Sequence, residues 1–250
     1  MEGTGRALVQ RVTAVVRAKQ FLVFFAIGLY ALDVSVPLLS ARLRLDEPFL
    51  QLLQHAQGPL ADAATRPGLP LLALFAADLL LRTWLRAGYL RSLTGAFHFG
   101  AASGGQYVRL LALLALLDAA AAGAIWATKL GGGQTIVVVA LVGLLALSLA
   151  LAYADYAIVL SGAGPLRAIA LSWRTVRLHF GPTVLLLLMV TLASGLATGL
   201  VASAASGSLA GALPLLLMQC VVVGGVAFVA DVTLLVLYLA TVESGQLTRR

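Results

Sequence analysis

Five of the ten acidic residues, Asp33, Asp78, Asp118, Asp155 and Asp231, lie inside long apolar runs. On insertion scales an Asp at the centre of a membrane helix costs about 2.5–3.5 kcal/mol, so each should face a bundle interior, carry a proton or be paired. Asp78 has Arg82 one turn on, at the i+4 spacing that lets opposite charges meet. Arg86 continues the same face and is long enough to snorkel towards the inner surface. Asp118 and Asp33 have no such partner in their own runs. Two roles fit these residues. The first is an ion or proton path, or a polar substrate cavity, between helices. The second is interhelical fastening, with Asp hydrogen-bonded to Ser148, Thr191, Tyr153, Tyr156 or Tyr238, or ion-paired to Arg82. Such polar pairs contribute roughly 0.6 kcal/mol each. Fastening is the favoured expectation, because no Na⁺- or proton-transporter signature surrounds the acids.

The elements that must position these residues follow from composition. The chain of 250 residues is 61% hydrophobic and 11% charged, against about 25% charged in a soluble domain. Its apolar residues come in runs of about 20, the length a helix needs to cross a bilayer core of roughly 30 Å. An all-α bundle of about six spans follows, at about 21–40, 69–90, 109–128, 135–160, 183–204 and 213–241, forming a single integral membrane domain over 1–250. The breakers agree: Pro67, Gly68 and Pro70 before the second span, Gly131–Gly133 between the third and fourth, Gly181-Pro182 before the fifth, and Gly207, Gly211 and Pro214 before the last. The first apolar run, from Phe21, is too long for a signal-peptide core and no A-x-A-like site follows it, so it is expected to stay as a span.

Charge sets the expected orientation. Arg6, Arg11, Arg17 and Lys19 precede the first span. Arg82, Arg86, Arg91 and Arg109 flank the second connection, Arg167, Arg174 and Arg177 the fourth, and Arg249 and Arg250 end the chain. Only Arg42, Arg44, Arg66 and Lys129 fall on the other side. The positive-inside rule then places both termini in the cytoplasm of a cell with the protein in its inner, plasma membrane. The formal charge of +7 is accounted for by the anionic leaflet, so membrane lipids are the expected partners, a homo-oligomer or membrane partner protein comes next, and nucleic acid is not expected.

Two connections look amphipathic. In 165–180, Leu166, Ile169, Ala170, Trp173, Val176 and Phe180 recur at three- and four-residue spacing, with Arg167 and Arg174 on the other side. This predicts a helix at the inner interface, Trp173 anchoring it and Arg167, Arg174 and Arg177 contacting lipid. Residues 6–20 follow a similar pattern, and Asp46-Glu47-Pro48 reads as the start of a short outer helix. The fifth span carries Gly195, Gly199, Ser203 and Gly207 on one stripe, which lets helix backbones approach closely, within the bundle or in a homodimer; internal packing is the expectation. Ala-Asp recurs at Ala77-Asp78, Ala154-Asp155 and Ala230-Asp231, at spacings of 77 and 76, and Arg91 and Arg167 fall in phase. Three hairpins, each preceded by a basic interfacial helix, would give that period.

Motifs for other chemistry are missing. No G-x-x-x-x-G-K-[ST], H-E-x-x-H or G-x-S-x-G is present. His55, His98 and His179 are scattered over different connections, and Cys220 is the only cysteine, so neither a metal site nor a disulfide is expected. Ser161-Gly162-Ala163-Gly164-Pro165 reads as a plain turn. No catalytic residue and no cofactor is expected.

Tyr153-Ala-Asp-Tyr-Ala-Ile-Val, Gly164-Pro165-Leu-Arg-Ala-Ile-Ala-Leu-Ser172-Trp173-Arg174 and His179-Phe180-Gly181 are joined by Arg86-Ala-Gly88-Tyr-Leu and Gly104-Gly-Gln-Tyr-Val-Arg109 earlier on. Over about 70–190 these segments resemble uncharacterised bacterial six-helix membrane proteins, themselves similar to the membrane domain that precedes some glycerophosphodiester phosphodiesterase catalytic domains. The resemblance implies six helices and an inner Ser-Trp helix. It brings no catalytic residue, since the phosphodiesterase domain has no counterpart in this sequence. The expected protein is a non-enzymatic inner-membrane component that acts on lipid or with a partner. A small transporter or channel using the aspartates is the alternative, and a lipid-modifying enzyme the third.

Overall fold

The computed structural model describes residues 2–42, 69–129, 134–204 and 209–244. Among these the structure is helical, with no strand. Helix α1 covers Glu2–Ala18, and a 3-10 turn at Gln20–Leu22 leads into α2, Val23–Arg42. Then come α3 (Leu69–Thr94), α4 (Gly104–Lys129), α5 (Gln134–Leu151), α6 (Ala154–Ser161), α7 (Pro165–Leu178), α8 (Phe180–Ala204) and α9 (Leu209–Glu243). Three stretches among the described residues are long and apolar enough to cross a membrane: Val138–Ser161, Phe180–Ala197 and Pro214–Glu243. The α1–α2 pair, bent by 75°, passes the same test only when its two limbs are taken together. A run of apolar residues in lipid must satisfy its own backbone, which is why these stretches are helices.

The long helices follow one another round a ring. Helix α2 lies between α3 and α9, α3 packs on α4, α4 on α5 and α8 on α9, while α5 touches α8 lightly. The short α6 sits among α3, α4, α5 and α7. Two glycines permit close approaches to backbone. A Cβ at Gly224 of α9 would stand 2.6 Å from the Ile27 Cα of α2, and one at Gly88 of α3 would stand 2.6 Å from the Gly100 amide nitrogen. Gly195 does not make such a contact within the chain: its face of α8 is exposed, with nothing within 4 Å of a Cβ. The side chains of Asp33, Gly199 and Ser203 lie outside the described residues, as do the expected outer helix from Asp46 and the tail arginines Arg249 and Arg250.

The structure corrects one expectation, the start of the last helix, and adds two details. The fourth span has a local two-residue turn at 152–153, where the Tyr153 amide donates to Ser172 Oγ at 2.9 Å instead of continuing the helix. Helix α9 starts at Leu209 and runs through Gly211 and Pro214 rather than after them. The apolar stripe of α7 turns largely outward. Leu166 is 84% exposed and Trp173 and Phe180 also point out, while Ala168, Ser172, Thr175 and Val176 are buried. The physical reason is size: small residues let α7 lie close against its neighbours, and the large apolar groups are left for the surrounding medium.

Candidate functional site

Helix α3 presents Asp78, Arg82 and Arg86 at four-residue intervals, so the three stand above one another on one face. Arg86 does not snorkel to a surface. It turns inward and binds two carboxylates from different helices. Its Nε and Nη2 donate to Asp155 Oδ2 at 3.1 and 2.7 Å, and its Nη1 and Nη2 donate to Asp231 Oδ2 and Oδ1 at 2.6 and 2.9 Å. Each carboxylate is 13% exposed. The planar guanidinium has five N–H donors in a fixed fork, which is what one group needs to hold two acids.

Local structure delivers each partner. Asp155 stands in the first turn of α6, which exists because the chain restarts after the break at Tyr153; its Oδ1 accepts the Tyr156 amide at 2.9 Å. The Tyr156 hydroxyl donates to the Asp231 carbonyl oxygen and to Asp231 Oδ1, both at 3.0 Å. Tyr156 stacks on Tyr238 of α9, whose hydroxyl is 2.7 Å from Ser161 Oγ at the far end of α6. Gly162, with φ 63°, then turns the chain, and the Ala163 amide closes the helix end onto the Ala157 carbonyl at 3.2 Å. The 161–165 segment is thus a capping turn, with Pro165 opening α7. On α3, the Tyr89 ring lies under the Arg86 guanidinium at 5.5 Å. Its hydroxyl is buried close to Asp231.

One turn back along α3, Arg82 Nη2 is ion-paired to Asp118 of α4. Arg82 therefore reaches across to another helix, and Asp118 gains the charged neighbour its own helix lacks. Asp78 is close to both, and its Oδ1 is buried without a hydrogen bond. The two clusters together set Asp78, Asp118, Asp155 and Asp231 against Arg82 and Arg86. When all are ionised, each arginine faces one acid too many.

Of the expected fastening partners, Tyr156 and Arg82 hold aspartates. Tyr153 instead bonds Thr183 Oγ1 at 2.7 Å, and Thr191 bonds the Leu187 carbonyl of its own helix at 2.8 Å. Two Ala-Asp aspartates, Asp155 and Asp231, meet at Arg86, whereas Asp78 stands in the Arg82 cluster. Arg86 and Tyr89 were not foreseen as site residues. The available signal was an arginine well inside an apolar run, which needs acids from elsewhere in the chain.

The cavities lie apart from this site. One of about 390 Å³ is lined by Leu186, Met189, Val222, Gly225, Val226, Val229 and Ala230. A second, of about 200 Å³, adjoins it at Val222 and is lined by Ala193, Leu196, Ala197, Leu215, Met218 and Gln219. Both are open apolar grooves between α8 and α9. Among the described residues no group of three His, Cys, Asp or Glu side chains could hold a metal ion.

At the end of the bundle where α3 stops and α4 starts, α7 turns its Arg167 and Arg177 outward beside Leu166 and Trp173, with the Arg177 guanidinium 5.2 Å from the Trp173 ring centre. Nearby, Ser172 receives the Tyr153 amide, while Trp173 points away. No protein-family model, curated protein or solved structure matches this chain.

Proposed function

We propose that this is a six-span protein of the bacterial inner membrane, built as three hairpins with both termini cytoplasmic. It works without catalysis, by engaging anionic phospholipid through α7. The observation that carries this reading is the outward face of α7, where exposed Leu166 and Trp173 adjoin Arg167, Arg174 and Arg177. An apolar flank beside a basic one is what a helix needs to lie between acyl chains and negative headgroups. The resemblance to the membrane domain found ahead of phosphodiesterase domains is part of the same proposal. The test is thermal unfolding of the purified protein in nanodiscs with and without an anionic lipid. Stabilisation by the anionic lipid, reduced in Arg167→Gln/Arg174→Gln/Arg177→Gln, is expected. Equal stability in neutral and anionic bilayers contradicts the reading.

The surplus of acids over arginines supports a second reading, ion or proton movement along the α3 face. Its test is flux in reconstituted vesicles with Asp118→Asn as the comparison. No wild-type flux, or flux unchanged in the variant, removes it.

A further inference from the structure

We propose that the connection between α3 and α4 is an aromatic wedge, seated in phospholipid between the headgroups and the acyl chains. The first ground is a continuous line of rings. Phe21, just ahead of α2, lies 6.1 Å from Phe97, Phe97 lies 6.4 Å from Phe99, and Phe99 lies 5.0 Å from Trp84 of α3. All four are between 37 and 58% exposed. Phe25 stands behind them, 6.2 Å from both Phe97 and Phe99 and 6.0 Å from the buried Tyr89, so the line is fixed to the core. Apolar surface left in water costs about 25 cal/mol per Å², and a contiguous exposed apolar patch marks an interaction surface. Position names the partner. Phe21 follows the 75° bend where α1 gives way to the limb that enters α2, so the line stands where a span meets the headgroups, the depth at which Trp and Tyr rings gather. Lys19 and Arg91 hold the two ends of the connection, at Gly95 and Gly100. Their positive charge beside the rings complements lipid phosphate groups.

The second ground is the backbone. Irregular chain survives at membrane depth only where protein groups satisfy its polar atoms. After Thr94 the connection doubles back along α3: a Cβ at Gly88 would stand 2.8 Å from the His98 carbonyl oxygen, and the Trp84 ring lies against Gly100. Side chains serve the backbone on the way. Lys19 Nζ donates to the Gly95 carbonyl, and Arg91 Nη1 to that of Gly100 at 3.2 Å. The His98 amide donates to Ser92 Oγ at 2.7 Å, and Ser92 Oγ stands 3.0 Å from the His98 carbonyl. Water would serve these groups without side chains, and in water Phe97 and Phe99 would be driven inward. The proposal rests on the membrane-spanning reading of the chain but concerns a surface separate from α7.

Tryptophan quenching of the full chain in phosphatidylcholine nanodiscs tests this, because bromine on acyl chains quenches rings in lipid and iodide quenches rings in water. The lipid is neutral, so the reading does not depend on anionic-lipid binding by α7. Trp126→Phe/Trp173→Phe leaves Trp84 as a reporter with the wedge unaltered. Adding Trp84→Phe and Phe97→Trp moves the reporter onto the connection and keeps a ring there. Leu192→Trp in the same tryptophan-free background reports the exposed face of α8. Both wedge reporters are expected to lose most of their emission to bromine placed near the headgroup end of the chains, and little to iodide. Loss to iodide alone puts the connection in water and overturns the proposal. Loss to neither, as when a second copy or another protein covers the rings, also overturns it. Bromine quenching at Leu192→Trp without quenching at the wedge overturns this proposal and leaves the membrane-spanning reading standing, whereas no bromine quenching at any of the three removes both.

Discussion

The two ends of the bundle are held together differently. Where α3 ends and α9 finishes, the interior is closed: Ala87, Tyr89, Leu90 and Leu93 of α3, most of α6, and Val232 and Leu234–Tyr238 of α9 are buried. Side chains tie the connections to one another there. Arg91 donates to the Gly100 carbonyl at 3.2 Å, Arg109 to the Gly162 carbonyl at 2.6 Å, and His179 stands 3.2 Å from Thr241 Oγ1. Farther along, Val138, Val139, Val142 and Leu145 of α5 and Leu188, Leu192 and Leu196 of α8 are exposed. In that half, polar links join Tyr30 to Ser194 at 3.3 Å and Gln219 to Tyr30 at 2.9 Å. In lipid there is no hydrophobic gain from putting one apolar helix against another. Helices therefore close where small residues and polar bonds draw them together, and large apolar faces are left to acyl chains.

Five substitutions and one control would break or sharpen this contrast, from the largest effect down. Arg86→Met leaves Asp155 and Asp231 facing each other without their shared partner. Loss of one member of a buried ion pair costs about 3–5 kcal/mol, so thermal unfolding in detergent should show a large drop. Arg82→Met should cost less, because the Asp118 side chain is 48% exposed. Gly88→Val forces a side chain against the Gly100 backbone and should cost about 1–3 kcal/mol by overpacking; Gly195→Ala, in open space, is the control. Tyr153→Phe removes the bond to Thr183 and should lower stability by about 1 kcal/mol. Val139→Ala, at a position 65% exposed, should fall within about 0.5 kcal/mol of wild type.

A smaller effect depends on pH. Burial pushes the His179 imidazole below its ordinary value of 6.5, so the folded protein binds this proton less readily than the unfolded chain. Stability from this residue is then fully present above pH 6.5 and declines as pH falls towards the folded value. Unfolding temperatures between pH 7.5 and 5 should show a shallower acid decline in His179→Gln than in wild type.

Helical, apolar character was legible in apolar run length, and three stretches, Val138–Ser161, Phe180–Ala197 and Pro214–Glu243, are long and apolar enough to cross a membrane. Aspartates in those runs also flagged the site. Their pairing was not legible, because a helical period says which residues share a face but not which helix lies opposite. Asp78 and Arg82 are ideally spaced in sequence, yet Arg82 reaches Asp118 on the adjacent helix. The break before Asp155 was hidden for the same reason: Ser172, nineteen residues on, takes the Tyr153 amide. On α7 the apolar periodicity was real, but it described the face turned outward, because the small residues made the closer fit.

The central claim is that Arg86 holds α3, α6 and α9 together by neutralising acids that cannot remain buried alone. The direct measurement is the unfolding temperature of Arg86→Met compared with Arg86→Met/Asp155→Asn/Asp231→Asn, both in the same detergent. The account predicts a large loss in the single variant and substantial recovery in the triple one, since removing the acids removes the cause of the instability. Equal loss in the two proteins, or an Arg86→Met protein as stable as wild type, would contradict it.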